Sequence, residues 1–466
     1  MLNIDKIIKD KRLNLKENSV FRFPPEPNGY LHLGHVKSIL LNYSLSKALN
    51  GTFNLRFDDT NPDTARAEYV NAIIDDLTWL KMKPDNIFFT SDYFDTLFNF
   101  ALHLIKTGKA YVCNMSGEEM DKARREYLET KKLYSPSRDN SIDKNMELFN
   151  KMFSGELDGH VLRLKVEKYE SNLHMLDPII YKNKTAQHYK TKDKWKVYPT
   201  YDFAHPVSDA IEGITHSLCT KEFEEHRPLY DYLVGLFAKY ANLANVPHQY
   251  EFSKLNISNA ALSKRKLIAL VKDNDNDISG FDDYRLLTVA GMRNRGLTPE
   301  IIKSFVEKYG FDTDLLKEQK AIDVSVFEKF IKNEMLKSDY PVVAGVPDDN
   351  KVKVLVDGKF NVFINKNDYR YSNEDKKDFL RLCIKQPVRI KNIGVVDVVS
   401  ETTSRVLVKT IDGDGLKPKT IACVSGDNPF SLVIEGKKYL LNYVPDGIFQ
   451  IHSVGFVKDG RFVCKF

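Results

Sequence analysis

Between residues 20 and 80 the apolar residues repeatedly change rhythm, and this alternation constrains the fold more than any other feature. The segment VFRF at 20–23 reads as a short strand. From there Val36, Ile39, Leu40 and Tyr43 recur at helical spacing. FNLRF at 53–57 alternates Phe53, Leu55 and Phe57 as a strand does, and it runs into the turn cluster DDTNP. Val70, Ile73, Ile74, Leu77 and Leu80 then mark a second helix. Strand–helix–strand–helix at this spacing predicts an α/β fold with a doubly wound parallel sheet.

That sheet cannot account for the whole chain. A length of 466 residues predicts two to four domains. Apolar residues make up 42%, as in soluble globular proteins. The net charge of +5, from 69 basic and 64 acidic side chains, neither demands nor excludes a polyanion. A local basic surface matters more than this total. Cys113, Cys219, Cys383, Cys423 and Cys464 are odd in number, far apart and without a C-x-x-C pair. No disulfide framework or structural metal site is expected from them, and a reducing, cytoplasmic compartment fits. MLNIDKIIKDKRLNLKENSV lacks the apolar core of a signal peptide, and no uncharged run approaches the roughly 18 residues of a membrane span.

Further along, the pattern divides the chain. Residues 1–92 and 196–252 read as the α/β domain, with buried-strand patterns in KVYPTYDF and HQYEF where the sheet resumes. Residues 93–195 read as an inserted α+β domain. It holds the charged helix SGEEMDKARREYLETKK, the helix SIDKNMELFNKMFSG ending at Gly155, and the strand HVLRLKV. Residues 253–337 look helical. In LTPEIIKSFVEKYG, Thr298 suits a cap, Pro299 the first helical position and Gly310 the exit, with Ile302, Phe305, Val306 and Tyr309 on the buried face. Residues 338–466 are all-β and barrel-like. KVKVLVDGKFNVFI alternates on both sides of Asp357-Gly358, and further Asp-Gly or Glu-Gly pairs stand at 412–413, 414–415, 435–436 and 459–460.

The turn after the first strand reads FRFPPEPNGYLHLGHVKS. His32 and His35, three apart, share a face on a helical turn. At a helix N-terminus they stand beside free backbone N–H groups and the positive end of the helix dipole, a place for phosphate. Gly34, without a Cβ, lets a flat ring lie against the backbone, and Pro24, Pro25 and Pro27 stiffen the approach. Downstream, ALSKRKL puts Lys264 in a polar loop. A flexible ammonium there can neutralise phosphate, although Lys264, Arg265 and Lys266 also suit a solvated basic cluster.

RFPPEPNGYLHLGHVKS resembles the nucleotide-binding signature of class I aminoacyl-tRNA synthetases, in the glutaminyl/glutamyl branch. NLRFDDTNP, YPTYDFAHPVSDAIEGITHSLCTKEF and LSKRKL follow in the family's order, and SPSRDNSIDKNMELFNKM and HYKTKDKWKVYP are similar to it as well. The resemblance implies a Rossmann-type catalytic domain, an inserted acceptor-binding domain, a helical subdomain and C-terminal anticodon-binding barrels. It implies ATP contacts at Glu26, Pro27, Asn28, His32, Leu33, Gly34, His35, Val36, Lys37 and Ser38, with His32, His35 and Lys264 in catalytic roles. Leu262, Ser263 and Lys264 match the family's second signature loop, with Ala261 ahead of them and Arg265 in the last position. Thr220, Lys254 and Leu255 resemble adenosine contacts.

By the same resemblance Arg22, Asp58 and Tyr201 bind the amino acid. Cys219 stands where the most similar glutamyl enzymes carry an arginine. A thiol cannot pair with a γ-carboxylate, so glutamine is favoured over glutamate. Glu225 sits where the family has a shorter acid that reads the acceptor stem, and Arg389 and Lys391 are candidate anticodon contacts on one strand face. The implied reaction is ATP-dependent attachment of L-glutamine to tRNA(Gln) through an adenylate. By the same resemblance Mg2+ is expected to accompany ATP, no protein metal ligands are identified, and a monomer without membrane attachment is expected. The alternatives are a glutamyl enzyme, including one that charges both tRNAs, and a catalytically silent tRNA-binding paralogue.

Overall fold

The alternation read from residues 20–80 is realised as drawn. In a computed structural model of the chain, the helix α1 (Ile4–Ile8), capped by Asn3, precedes strand β1 (Val20–Phe23). Helix α2 (Leu33–Ala48), strand β2 (Thr52–Phe57), helix α3 (Ala67–Trp79) and strand β3 (Asn86–Phe89) follow. The structure describes residues 3–130, 135–166, 172–273, 278–312, 317, 319–338, 342–343, 345–347, 349, 351–356, 360–365, 388–390, 393–401, 406–412, 420–421, 424–425, 430–434, 437–441, 448–451, 455–458 and 461–465. These fall into two compact units. One comprises 1–282, 286–290 and 302–323, the other 283–285, 291–301 and 324–466.

In the first unit, β1 pairs parallel with β2, and β2 with β3. The chain then runs through α4 (Phe94–Lys106), β4 (Ala110–Cys113), α5 (Gly117–Thr130), α6 (Ile142–Ser154), β5 (Val161–Leu164), β6 (Ile179–Asn183) and β7 (Val197–Pro199). Helix α6 starts at Ser141, whose hydroxyl accepts from the Lys144 N–H at 3.2 Å, and ends at Gly155 with φ +82°. Next come α7 (Tyr201–Ile211), β8 (His216–Thr220), α8 (Arg227–Ala241) and β9 (His248–Phe252), with β8 and β9 parallel. Thr215 ties β8 to β1: its N–H donates to the Val20 carbonyl at 3.1 Å, and its hydroxyl accepts from the Val20 N–H at 2.8 Å. The strands therefore run β3–β2–β1–β8–β9, and the order reverses between β1 and β8.

Two expectations from the sequence read differently in the structure. VYP does not rejoin the parallel sheet: β7 pairs antiparallel with β6, completing a sheet β4–β5–β6–β7. Tyr201 opens α7 rather than closing a strand. Alternation in KVYPTYDF cannot show this, because both a sheet edge and the first turn of a buried helix present such apolar residues. Phe94, Phe100, Phe149, Trp195, Phe203 and Phe237 share one core, so α4, α6, α7 and α8 pack with the antiparallel sheet as a single body. The short strand β10 (Ile257–Ser258) and helix α9 (Lys264–Lys272) lie further on in this unit.

In the second unit, Lys351–Val356 and Phe360–Asn365 pair antiparallel within a seven-stranded sheet. Val352, Val354, Val356, Val362 and Ile364 form its buried side, as their alternation predicts. The Asp-Gly and Glu-Gly pairs lie outside the described residues apart from Asp412, but those at 357–358, 435–436 and 459–460 sit between strands that pair antiparallel. Among the described residues no helix is long and apolar enough to cross a membrane. Cys113, Cys219 and Cys464 are free, while Cys383 and Cys423 lie outside the described residues.

Phe203 is fully buried and stacks on Phe100 with ring centroids 5.6 Å apart. Replacing it by Ala removes the anchor of α7 and is expected to cost about 3–5 kcal/mol. Both tryptophans, Trp79 and Trp195, belong to the first unit, so urea denaturation followed by tryptophan fluorescence reads this loss directly.

Candidate active site

Between β1 and α2 the chain is lashed down by backbone. The Asp58 N–H donates to the Pro25 carbonyl and the Arg66 N–H to the Pro27 carbonyl, both at 3.0 Å. His32, extended at φ −134° and ψ 172°, is the N-cap of α2. Its Nδ1 accepts from the Gly34 N–H at 3.1 Å, and the His35 Nδ1 accepts from the His32 N–H at 3.2 Å. This reciprocal capping is built from two imidazoles whose centroids lie 3.8 Å apart.

Because each Nδ1 accepts, each neutral ring carries its proton on Nε2. Burial pushes His32 down to about 4, and burial followed by the neighbouring His32 holds His35 well below the usual imidazole range. Near neutral pH the turn thus presents two uncharged Nε2–H donors beside the free amides of a helix start. Gly34 serves this arrangement. A Cβ there would stand 2.9 Å from His32 Cε1 and 3.0 Å from its Nδ1. The space expected for a ligand ring is taken by the His32 imidazole itself.

A cleft of about 700 Å³ opens where the parallel strands end. Its walls come from Arg22–Pro24, Asp58, Leu218–Thr220 and Phe252, with Glu26, Gly34, His35 and Ser38 on one side and Lys182, Lys184 and Tyr198–Tyr201 on the other. The reversal of strand order lies at this point, where ligands bind in open α/β sheets. A smaller cavity of about 190 Å³ adjoins it, lined by Glu26, Asn28, His32 and His35 on one side and by Leu267, Ile268 and Phe281 on the other.

The remaining nucleotide candidates divide. Pro27, Leu33 and Val36 are buried and line neither cavity. Lys37 is buried too. Its ammonium donates to the Ser253 carbonyl and to the Ser253 hydroxyl at 3.0 Å, lies 5.2 Å from the Phe311 ring centre, and is pulled down to about 8 by burial. Thr220 lines the cleft, with its hydroxyl on Glu222 at 3.0 Å. Lys254 pairs with Glu222 at 3.2 Å, and Leu255 is buried. Leu262 is half-buried, and Ser263 caps α9 by accepting from the Lys266 N–H at 3.4 Å. Lys264 is the first residue of that helix, and its side chain lies outside the description.

Beneath the cleft lies a buried ion network that the sequence reading did not single out. Asp209 accepts from Arg22 Nε at 3.1 Å and from Arg56 Nη1 at 2.5 Å. Arg22 also donates through Nη1 to the Leu218 carbonyl at 2.9 Å and through Nη2 to His205 Nε2 at 2.7 Å. With Nε2 accepting, neutral His205 carries its proton on Nδ1 and donates to Asp58 Oδ2 at 3.1 Å, while Arg56 Nη2 packs 2.8 Å from the same nitrogen. Asp58 Oδ1 accepts from Arg56 Nε at 2.8 Å and from the Thr90 hydroxyl at 3.1 Å. Burial opposes ionisation of Asp58 and Asp209, but Arg56 above all for the first and Arg22, His205 and Arg56 for the second overcome it, so both stay below the usual carboxylate range. The available signal was spacing: Tyr201, His205, Asp209 and Glu212 recur on one face of α7.

Arg22 borders the cleft, with most of its donors committed to this floor. Tyr201 is 39% exposed and its ring stacks on His205 at 4.8 Å. Cys219 donates from Sγ to the Tyr250 carbonyl at 3.7 Å, and burial pushes its thiol up to about 12, so this wall carries no charge. A second cleft of about 820 Å³ shares Lys182, Thr200 and Tyr201 with the first. It adds Arg124, Asn172, His174, Asp202 and Glu225, and the Glu225 carboxylate is 3.7 Å from His174 Nε2. Arg389 lies on a strand opposite Val395, with its side chain outside the description, and Lys391 lies outside the described residues.

A family model described as tRNA synthetases class I (E and Q), catalytic domain, matches residues 19–335, from β1 through the capped turn, both clefts and α9. The chain belongs to this family. The Glutamine–tRNA ligase of Clostridium perfringens is 46% identical over 331 residues, covering 71% of this chain and 58% of that protein. That of Neisseria gonorrhoeae is 48% identical over 333 residues, with the same coverage of 71% and 58%. That of Clostridioides difficile is 39% identical over 431 residues, covering 86% and 75%. The chain therefore spans 58% of the length of the first two synthetase relatives. A solved glutamate tRNA ligase from Elizabethkingia meningosepticum shares the fold, with a TM-score of 0.50 and 20% identity over 69% of this chain and 70% of that one.

In this family member the Gly34→Ala substitution forces the His32 ring from its cap. The expected result is a loss of about 1 kcal/mol of stability from the broken cap. Thermal melting checks it.

Proposed function

We propose that the protein activates L-glutamine with ATP and transfers it to tRNA(Gln). The glutamine α-carboxylate oxygen forms a bond to the α-phosphorus of ATP, and the bond to the pyrophosphate oxygen breaks, leaving glutaminyl-adenylate. A hydroxyl of the terminal adenosine then attacks the acyl carbon and AMP leaves. The Nε2–H groups of His32 and His35 donate to the phosphate oxygens as charge builds on them, a contribution of roughly 3–4 kcal/mol per donor. Being neutral, they do so without taking a proton from another group. Lys264 and Ser263 close on the triphosphate, and Glu26, Asn28 and Ser38 position it. Mg2+ supplies charge neutralisation as a companion of ATP. Among the described residues no group of three or more His, Cys, Asp or Glu side chains is placed to hold a metal, so no protein ligand is assigned to it.

The observation that carries the choice of glutamine is the Cys219 wall. It is an uncharged thiol, bonded to the Tyr250 carbonyl, in a cleft whose nearest guanidinium, Arg22, is bound to Asp209. A γ-carboxylate buried there would lose its water without gaining a partner. Asp58 receives the α-ammonium group and Tyr201 covers the substrate. The names of the relatives support the same reading. The tRNA 3′ end enters by the larger cleft, past Glu225 and Arg124, and reaches the adenylate where Lys182, Thr200 and Tyr201 border both spaces. In the same reading the β-rich region after residue 338 takes the anticodon loop, with Arg389 and Lys391 as contacts.

A charging assay with glutamine and glutamate on both cognate tRNAs tests the proposal. Glutaminyl-tRNA(Gln) is the expected product, and glutamate charging alone would sink it. Two variants sharpen the test. His35→Ala is expected to keep the fold and to lose adenylate formation by about a hundredfold or more, read by pyrophosphate exchange with tRNA present. Cys219→Arg is expected to raise the use of glutamate relative to glutamine in competition assays.

A further inference from the structure

Asp58 is a carboxylate at the cleft, but it is not electrically independent. The Arg56 guanidinium bonded to its Oδ1 is fully buried and reaches two further carboxylates, Asp209 and Glu212, the latter at 3.3 Å from Nη1 to Oε2. Glu212 follows the last turn of α7. Its side chain is wholly buried and its Oε1 has no hydrogen-bond partner. The groups facing it are Arg22 from β1, Arg56 and Asp58 from β2 and its end, Tyr93 from the turn after β3, and Asp209 from its own helix. Burial and then the Glu212 charge push the Tyr93 hydroxyl up, with Asp92 adding to the effect.

We propose that Glu212 is a positioning residue for the amino-acid substrate: acting through Arg56, its carboxylate sets how much negative charge Asp58 presents to the substrate's α-ammonium group. The network holds the two positive charges of Arg22 and Arg56. Against them stand Asp58, Asp209 and Glu212, with His205 kept neutral by burial. When Glu212 is ionised, one negative charge is in excess, and the ammonium group of an entering amino acid supplies the missing positive one. When Glu212 is protonated, the two guanidiniums are balanced by Asp58 and Asp209 alone, and an ammonium group meets a compensated floor. Burial, opposed by Arg56, lifts Glu212 to about 7, so both forms are populated near neutral pH. The sign follows: affinity for the amino acid rises with pH through this range, and binding near pH 7 expels a proton from Glu212. Asp58 and Asp209, held low, remain ionised throughout.

This inference rests on the reading of the cleft as an amino-acid pocket, but only on the α-ammonium group that glutamine and glutamate share. The test is calorimetric titration of the full chain with each amino acid at pH 6, 7 and 8, in buffers of different ionisation enthalpy. The wild-type protein is expected to bind about tenfold more tightly at pH 8 than at pH 6 and to release protons at pH 7. Glu212→Gln is expected to bind at a weak, pH-independent level without proton release, while its ATP affinity stays unchanged. A flat wild-type profile overturns the inference, as does a Glu212→Gln protein that keeps the wild-type profile. Should that variant fail to fold, Tyr93→Phe decides. Losing the polar hydroxyl that faces the carboxylate is expected to move the affinity transition to higher pH, and an unmoved transition overturns the idea. If the predicted profile appears but no tRNA is charged, the catalytic reading fails and this inference stands.

Discussion

Two arginines sharing one buried aspartate hold this site together. Arg22 on β1 and Arg56 on β2 both reach Asp209 on α7, and Arg22 also holds the backbone of β8 through Leu218. Burying two guanidiniums is costly unless nearly every donor finds a partner. Here the partners come from four elements, so the network is satisfied only when β1, β2, α7 and β8 are all in place. Asp58 and Tyr201 are set on this floor, and the electrostatics of the cleft follow from it.

The capped turn solves a different problem. A helix start with free backbone N–H groups can gain further donors without disturbing the charge balance. Using His32 and His35 as their own capping pair consumes both Nδ1 atoms and leaves the proton of each neutral ring on Nε2. Desolvation keeps the rings neutral. Gly34 is required because the His32 ring occupies the place of a side chain.

The inserted segment does more than decorate the sheet. Its antiparallel strands share a core with α7 and α8, and its residues Lys182 and Lys184 line the cleft that the parallel strands open. The helix that carries Tyr201 is therefore gripped from both sides, by the ion network along one face and by Phe100 and its neighbours along another.

Much of this was legible in the sequence. The rhythm of residues 20–80 determined the parallel sheet, the spacing of His32 and His35 at a strand-to-helix turn marked a candidate phosphate site, and the alternation of KVKVLV determined a half-buried strand. These are local properties, carried by a few neighbouring residues and their backbone periodicity. What the tertiary structure alone decided was non-local. It turned Lys37 toward Ser253, gave the space above Gly34 to His32, placed VYP in the antiparallel sheet, and joined Arg22, Arg56, His205 and Asp209 across more than 180 positions of chain. Burial determines where a charge must find its partner, and a sequence read one segment at a time contains no distances between segments.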